Sequence, residues 1–269
     1  MIQFQNDQLT IFESALYKTT STVVKTKDCI IVVDPNLLPS EVEEIRAHVS
    51  KIRGRLPVYL VLTHSDWDHL IGYGAFQDTT VIASQLFQTL DSHQIVEQMK
   101  TFDDKYYLDR NYEITFPKVN IPISKERHVS KIGSTTMTFY SAPGHTKDGI
   151  FTVIEPYGIF IAGDYLSDIE FPFIYDNSYH YELTLKKVSN ILKNHKVNML
   201  IPGHGNYTLS KDEIVKRTDE SAKYIQELRR ALSSNGEHAD LISQYQYWRE
   251  LNFSHEENVV LMRRELNNK

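Results

Sequence analysis

"VLTHSDWDHLIG", residues 61–72, decides how this chain is read. An apolar run ends there, and two histidines and two aspartates follow within six positions: His64, Asp66, Asp68 and His69. The preceding "LPVYLVLTH" predicts a buried strand. At an extended strand end residues i and i+2 point the same way, so His64 and Asp66 can share one metal ion. Asp68 and His69 come after the chain turns and can face a second ion nearby. Imidazole suits zinc, iron and other divalent transition metals, and carboxylate adds a harder, charged ligand.

The same grammar recurs along the chain. "YSAPGH" ends at His145, "IFIAGD" at Asp164, "MLIPGH" at His204 and "VVDP" at Asp34. Each is an apolar strand running into a turn and then a metal-binding or acidic side chain. The glycines before His145, Asp164 and His204 suit tight turns and close backbone approach.

Strands and helices alternate around these points, which predicts an α/β class. Ser40 to Glu43 reads as a capping box, with Val42, Ile45, Val49 and Ile52 at helical spacing behind it. "TTVIAS" reads as a short strand, and residues 84–112 as helical or irregular. "ERHVSKIGSTTMTFYSAPG" reads as two strands about a Gly133-Ser134 turn, and "GIFTVIEPYGIFIAGD" as a hairpin turning at Pro156 to Gly158. Tyr181, Leu185, Val188 and Leu192 form a helical stripe. A second capping box, Ser210 to Glu213, precedes the stripe of Ile214, Ala222, Ile225, Leu228 and Leu232, and residues 237–267 read as helical again. Hairpins among the strands exclude a purely parallel sheet, so the expectation is two mixed β-sheets with helices outside and a helical C-terminal appendage.

Hydrophobic residues at 41% and charged residues at 24% are those of a folded chain, not a disordered one. The net charge is −6 with acids and bases interleaved, so no basic track for nucleic acid is expected. No window approaches a membrane span, and there is no basic start followed by a long apolar run. The lone Cys29, inside "CIIVVDP", cannot form an internal disulfide and reads as a buried strand residue. The expected setting is cytoplasmic, with no membrane partner.

HxDxDH, then PGH, then GD, then PGHG, in this order, resembles the metallo-β-lactamase superfamily over roughly residues 1–208. The resemblance implies an αββα sandwich with a metal site at one edge, built by residues 1–208, and residues 209–269 as a helical appendage packed on it. It implies that His64, Asp66 and His145 hold a first metal, that Asp68, His69 and His204 hold a second, and that Asp164 bridges both. Asp34 matches the acidic residue of the family's first motif, which supports the ligand loop. The usual motif is HxHxDH. Asp66 in place of the second histidine makes the first site harder, so the expected cofactors are two divalent ions, zinc first, with iron or manganese favoured by Asp66. The flavodiiron branch has an acidic residue there, and also a flavodoxin domain that this chain is too short to contain.

Such a centre implies metal-dependent hydrolysis: hydroxide generated near neutral pH attacks an electrophilic carbonyl or phosphorus, and Asp68 binds metal and orients the water as the catalytic residue. The expected partner is a small-molecule ester, lactone, thioester or phosphoester; β-lactams and nucleic acids fit less well. Trp67, Lys147, Tyr165, Phe173 and His180 are candidate substrate contacts from their nearness to the motifs. The lactonase branch has a tyrosine three positions after its bridging aspartate, where this chain has Ser167; the tail only loosely resembles the thioesterase branch similar to glyoxalase II.

Blander readings stand beside these. His48, His93, His128, His195, His238 and His255 lie outside the motifs and read as surface or hydrogen-bonded core residues. Trp67 and the rings from 171 to 179 suit packing as well as substrate contact, and the helix after Ser210 suits a covering helix or a homodimer face. Two other functions remain: a di-iron oxidoreductase, and a non-catalytic metal-binding module on the same scaffold.

Overall fold

The computed structural model describes residues 1–268. Its chain forms two compact units, one of Met1–Tyr140 with Ile154–Pro156, the other of Ser141–Val153 with the chain from Tyr157 onward.

In the first unit a seven-stranded sheet keeps chain order: β1 (Ile2–Gln5), β2 (Leu9–Glu13), β3 (Thr20–Lys25), β4 (Ile30–Val33), β5 (Val58–Val61), β6 (Thr80–Ser84) and β7 (Ile121–Ile123). Strands β1 to β4 pair antiparallel, and β4 to β7 pair parallel. The parallel strands are the continuously apolar ones, because a strand covered on both faces has no solvent side to alternate towards. The helix α1 (Pro39–Arg53) crosses from β4 to β5 and buries Val42, Ile45 and Val49 in one core with Val32 and Leu60.

The start of α1 corrects the reading of Ser40 as its cap. The helix begins at Pro39, and the Glu41 carboxylate accepts hydrogen bonds from the backbone of Leu38 at 3.1 Å and of Ala15 at 2.8 Å. Proline suits the first helical position because its missing N–H would have no partner there, and Glu41 then falls where it can reach back to the cap. After β5 comes α2 (Trp67–Leu70), a single turn, and after β6 comes α3 (Ser92–Tyr106), capped by Asp91. The edge strand β7 was not read from the sequence.

The hairpin of β8 (His128–Ile132) and β9 (Thr135–Ser141) turns at Gly133-Ser134, as predicted. A second sheet has five strands, in the order β12-β11-β10-β9-β8, with β10 (Ile150–Glu155), β11 (Ile159–Ile161) and β12 (Met199–Ile201). It is mixed, since β8 and β9 pair antiparallel and β11 and β12 parallel. The second unit adds α4 (Ser178–Asn194), α5 (Lys211–Ser234) and α6 (Trp248–Asn267). Tyr181, Leu185 and Val188 are buried along α4, and Ile214, Ile225, Leu228 and Leu232 along α5, as their spacing predicts. At the start of α5 the Ser210 hydroxyl accepts from the Glu213 N–H at 3.2 Å, whereas the Glu213 carboxylate turns to Arg217 Nε at 3.0 Å. Two mixed sheets flanked by helices give the expected α+β class. Helices α5 and α6 belong to the same compact unit as β11 and β12. Among the described residues no helix is long and apolar enough to cross a membrane.

Candidate metal-ligating residues

In the first unit, β4 and β5 run parallel with Val33 opposite Val61, so both chains leave the sheet side by side. Asp34 sits at φ +45° on one and Thr63-His64 on the other. The Asp34 carboxylate, 2% exposed, accepts three hydrogen bonds. Thr63 N–H donates to Oδ1 at 2.9 Å, the Thr63 hydroxyl to Oδ2 at 2.6 Å, and His69 Nδ1 to Oδ2 at 3.0 Å. A carboxylate only accepts, so this geometry fixes protons on neighbouring groups. His69 must carry its proton on Nδ1. The Thr63 hydroxyl already uses its one proton in the hydrogen bond to Asp34, so at 2.9 Å from His64 Nδ1 it must accept, and His64 also carries its proton on Nδ1. On both rings the lone pair therefore lies on Nε2.

Those nitrogens face carboxylates. His64 Nε2 lies 3.7 Å from Asp66 Oδ2, and His69 Nε2 lies 3.6 Å from Asp68 Oδ2. Asp66 is the residue before α2, yet its side chain makes no capping bond and turns to His64, as the i, i+2 argument predicts. The Thr19 hydroxyl reaches Asp68 Oδ2 at 3.5 Å.

In the second unit, β11 and β12 are parallel with Ile161 opposite Ile201, so Asp164 and His204 each follow their strand by three residues. The Gly203 amide donates to the Gly163 carbonyl at 2.6 Å, and Gly163 sits at φ +54°, a conformation that favours glycine. Asp164 Oδ2 then lies 3.4 Å from His204 Nε2 and 3.2 Å from His145 Nε2. His145 Nδ1 donates to the Phe173 carbonyl at 2.9 Å, which again places the ring's lone pair on Nε2. Gly144, at φ +130°, lets this loop lie against α4, where a Cβ would come within 2.3 Å of Tyr181 Cα.

The candidate substrate contacts fare differently. Trp67 is half-buried, 4.8 Å from Phe102 and 6.3 Å from Tyr17 between ring centres. It lines a groove of about 420 Å³ with Tyr17, Gln94, Gln98, Phe102 and Tyr106. Lys147 is exposed. Phe173 is half-buried and contributes its carbonyl to His145. Tyr165 is 3% exposed and braces the ligand loop. It accepts from the His145 N–H at 3.0 Å and points its hydroxyl at the carbonyls of Pro143, 2.9 Å, and Ala142, 3.2 Å. Burial pushes that hydroxyl's pKa up and keeps it a donor. His180 is exposed in the first turn of α4, with Nδ1 2.9 Å from Asp176. Glu170, 3.9 Å from His204 Nδ1, was not read from the sequence, because nothing in its neighbourhood marks it.

A further group, His238, His255 and Glu256, lies outside the motifs. His255 is fully buried, with Nδ1 2.8 Å from the Tyr224 hydroxyl and Nε2 3.1 Å from His238 Nδ1, a hydrogen-bonded core histidine as expected. Burial first, and then His238, depress its pKa below the ordinary 6.5. The unfolded chain therefore takes up the proton that the folded chain refuses, and stability falls as pH drops below about 6.5. Denaturant titrations between pH 7.5 and 5 are expected to show this slope, and His255→Gln to reduce it (His48, shifted the same way, supplies part of the remainder).

Three of these imidazoles have Nδ1 tied to an acceptor that leaves Nε2 as a lone pair, and all four present Nε2 to an aspartate. That donor set fits divalent cations such as zinc, and it is the chemistry of a metal-binding protein. His64 and Asp66 belong to one group that could hold such an ion and Asp68 and His69 to a second, and Asp164 stands within reach of the His145 and His204 imidazoles. The chain belongs to the metallo-β-lactamase superfamily, whose family model matches residues 16–209. No curated protein sequence matches the chain. Among solved structures it is similar to a metallo-β-lactamase family protein of Thermus thermophilus, at 15% identity and TM-score 0.61 over 84% of this chain and 82% of that one. It is also similar to a metallo-β-lactamase from Pontibacter korlensis, at 16% identity and TM-score 0.58 over 83% and 98%. A sec-alkylsulfatase of a Pseudomonas species matches at 11% identity and TM-score 0.66, over 87% of this chain and 42% of that one. At these identities the likeness is one of fold.

Proposed function

We propose that this protein is a metal-dependent hydrolase of a small-molecule ester, lactone, thioester or phosphoester, working at a dinuclear centre. In this reading His64, Asp66 and His145 hold one ion, Asp68, His69 and His204 the other, and Asp164 both. The observation that carries it is the set of imidazoles whose protons are parked on Nδ1 and whose Nε2 atoms turn to aspartates. Bound divalent cations supply Lewis acidity and make water acidic enough to lose a proton near neutral pH. The chain's residues do the rest: Asp34 and Thr63 hold the His64 and His69 rings in one tautomer, and Asp68 Oδ2 orients the attacking water and accepts its proton. Family membership and neighbours named as lactamases and a sulfatase support hydrolysis. Zinc is the first expected metal, and the carboxylate of Asp66 favours iron or manganese next.

The test is metal analysis of the purified protein, followed by a panel of these four bond types assayed with zinc, manganese and iron in turn. Turnover of one bond class that is lost on chelation and restored by metal supports the reading. A coloured iron protein that consumes oxygen and hydrolyses nothing would replace it with oxidoreductase chemistry.

The groove beside Trp67 is assigned to the apolar part of the substrate, since Trp67, one of its lining rings, lies between Asp66 and Asp68 in the chain. Trp67→Ala is expected to raise KM about tenfold with kcat and metal content little changed, the loss of roughly one apolar contact surface.

A further inference from the structure

Two C-terminal helices lie beyond the stretch that the family model matches, which ends at residue 209. They send buried polar side chains back to the backbone that carries the second unit's ligands. Asn258, on α6, is fully buried and saturated. Its Oδ1 accepts from Ile174 N–H at 2.8 Å, and its Nδ2 donates to the Pro172 carbonyl at 2.6 Å and to the Tyr224 hydroxyl at 2.9 Å. Between those two backbone groups stands Phe173, whose carbonyl holds His145 Nδ1. Further along α6, the Glu265 carboxylate accepts from Ser178 N–H at 2.8 Å and from the Ser178 hydroxyl.

The segment fastened at these two ends is the one that cradles His145. Tyr175 N–H donates to the His145 carbonyl at 2.8 Å, Asp176 N–H to the same carbonyl at 3.1 Å, and Asn177 N–H to the Gly144 carbonyl at 3.3 Å. The other two ligands are reached from α5. Arg217, 5% exposed, donates through Nη1 to the carbonyls of Leu166 at 3.1 Å and Asn206 at 2.8 Å, each two residues past a ligand, Asp164 and His204. Its Nε is taken by Glu213 at 3.0 Å, so the guanidinium is held in one orientation.

We propose that α5 and α6 form a positioning clamp on the metal ligands, with Asn258 and Glu265 setting the loop of His145 and Arg217 setting the loops of Asp164 and His204. The proposal rests on the metal-site reading above, and assigns the C-terminal region to that site. The buried bonds are directional and join residues tens of positions apart, so they fix geometry more than they add area. Packing alone would not require a saturated amide and a guanidinium at these two places.

Asn258→Ala and Arg217→Met test it, against Met262→Ala and Leu232→Ala, which remove buried apolar packing from the same two helices and no side-chain hydrogen bond. Three readouts are compared: metal affinity by chelator competition, amide hydrogen exchange at residues 144–147 and 174–178 in metal-free protein, and the melting midpoint. Each clamp variant is expected to weaken metal binding about tenfold. Asn258→Ala is expected to speed exchange in both amide stretches. The packing controls should lower the midpoint at least as far with affinity and loop exchange unchanged. If Asn258→Ala does not fold, Asn258→Asp, which keeps the acceptor for Ile174 and loses the donor to Pro172, is read in its place. Unchanged affinity and exchange in the clamp variants, or equal losses in the controls, overturn the proposal. Should the parent protein bind no metal, the hydrolase reading fails, and the exchange comparison still decides the clamp.

Discussion

Asp164→Ala is expected to leave the protein without its metal and to cut hydrolysis by at least about 10³-fold, roughly 4 kcal/mol of transition-state stabilisation. One oxygen of this carboxylate stands 3.2 Å from His145 Nε2 and 3.4 Å from His204 Nε2. The register of β11 with β12, not side-chain flexibility, puts it there. Alanine removes the negative charge that the two rings share and leaves them as a neutral pair with weaker hold on a cation. Metal analysis and activity are the direct readouts. A thermal scan supplies an independent one, because a ligand bound only by the folded state raises its stability by mass action. The parent should lose melting temperature on chelation, and Asp164→Ala should be indifferent to it. A variant that retains full metal and full activity would remove Asp164 from the centre.

Asp34→Asn tests a subtler point with a nearly equal effect on metal. The substitution keeps size and shape but reverses hydrogen-bond polarity. With its oxygen still accepting from Thr63 N–H, the new amide nitrogen must donate where Oδ2 once accepted, to the Thr63 hydroxyl and to His69 Nδ1. His69 then carries its proton on Nε2. The Thr63 hydroxyl, no longer spent on Asp34, donates to His64 Nδ1 and drives that ring into the same tautomer. Every group remains satisfied, so the fold should lose little, about 1 kcal/mol. Both lone pairs needed for metal are blocked, so affinity should fall about 100-fold, the upper end for a residue that only orients ligands. Asp34→Ala should behave differently. It strands buried donors on Thr63 and His69 and is expected to cost about 3–4 kcal/mol of stability. Denaturation and metal titration on the two variants separate tautomer control from simple support. If Asp34→Asn binds metal as the parent does, the tautomer argument fails even though the loop bonds are real.

Much of this was legible in the chain. Strand ends carrying His64, His145, Asp164 and His204 could be marked because an apolar run meeting a turn is a local pattern. The helical stripes of α1, α4 and α5 could be marked for the same reason, since 3.6-residue periodicity needs no partner to be visible. The Asp66 departure from the usual motif was likewise plain, and so was the turn at Gly133-Ser134. Capping was less secure: at α5 the serine caps as expected, but at α1 the helix starts at Pro39 because Glu41 finds Leu38 and Ala15, and Ala15 is a distant residue.

What the tertiary structure alone decided has a common cause. Tyr165 proved to brace the His145 loop, and Asp34 to set the His69 tautomer directly and that of His64 through Thr63. Asn258 and Arg217 reach the ligand loops across separations of 86 and 51 residues. A hydrogen bond of that kind depends on a direction and a distance that exist only after the strands have paired and the helices have docked. Composition and spacing carry no trace of it, because any asparagine or arginine at the same place in the chain would look alike. The sequence thus determined which atoms are chemically suited to hold a cation, and packing determined which way those atoms point.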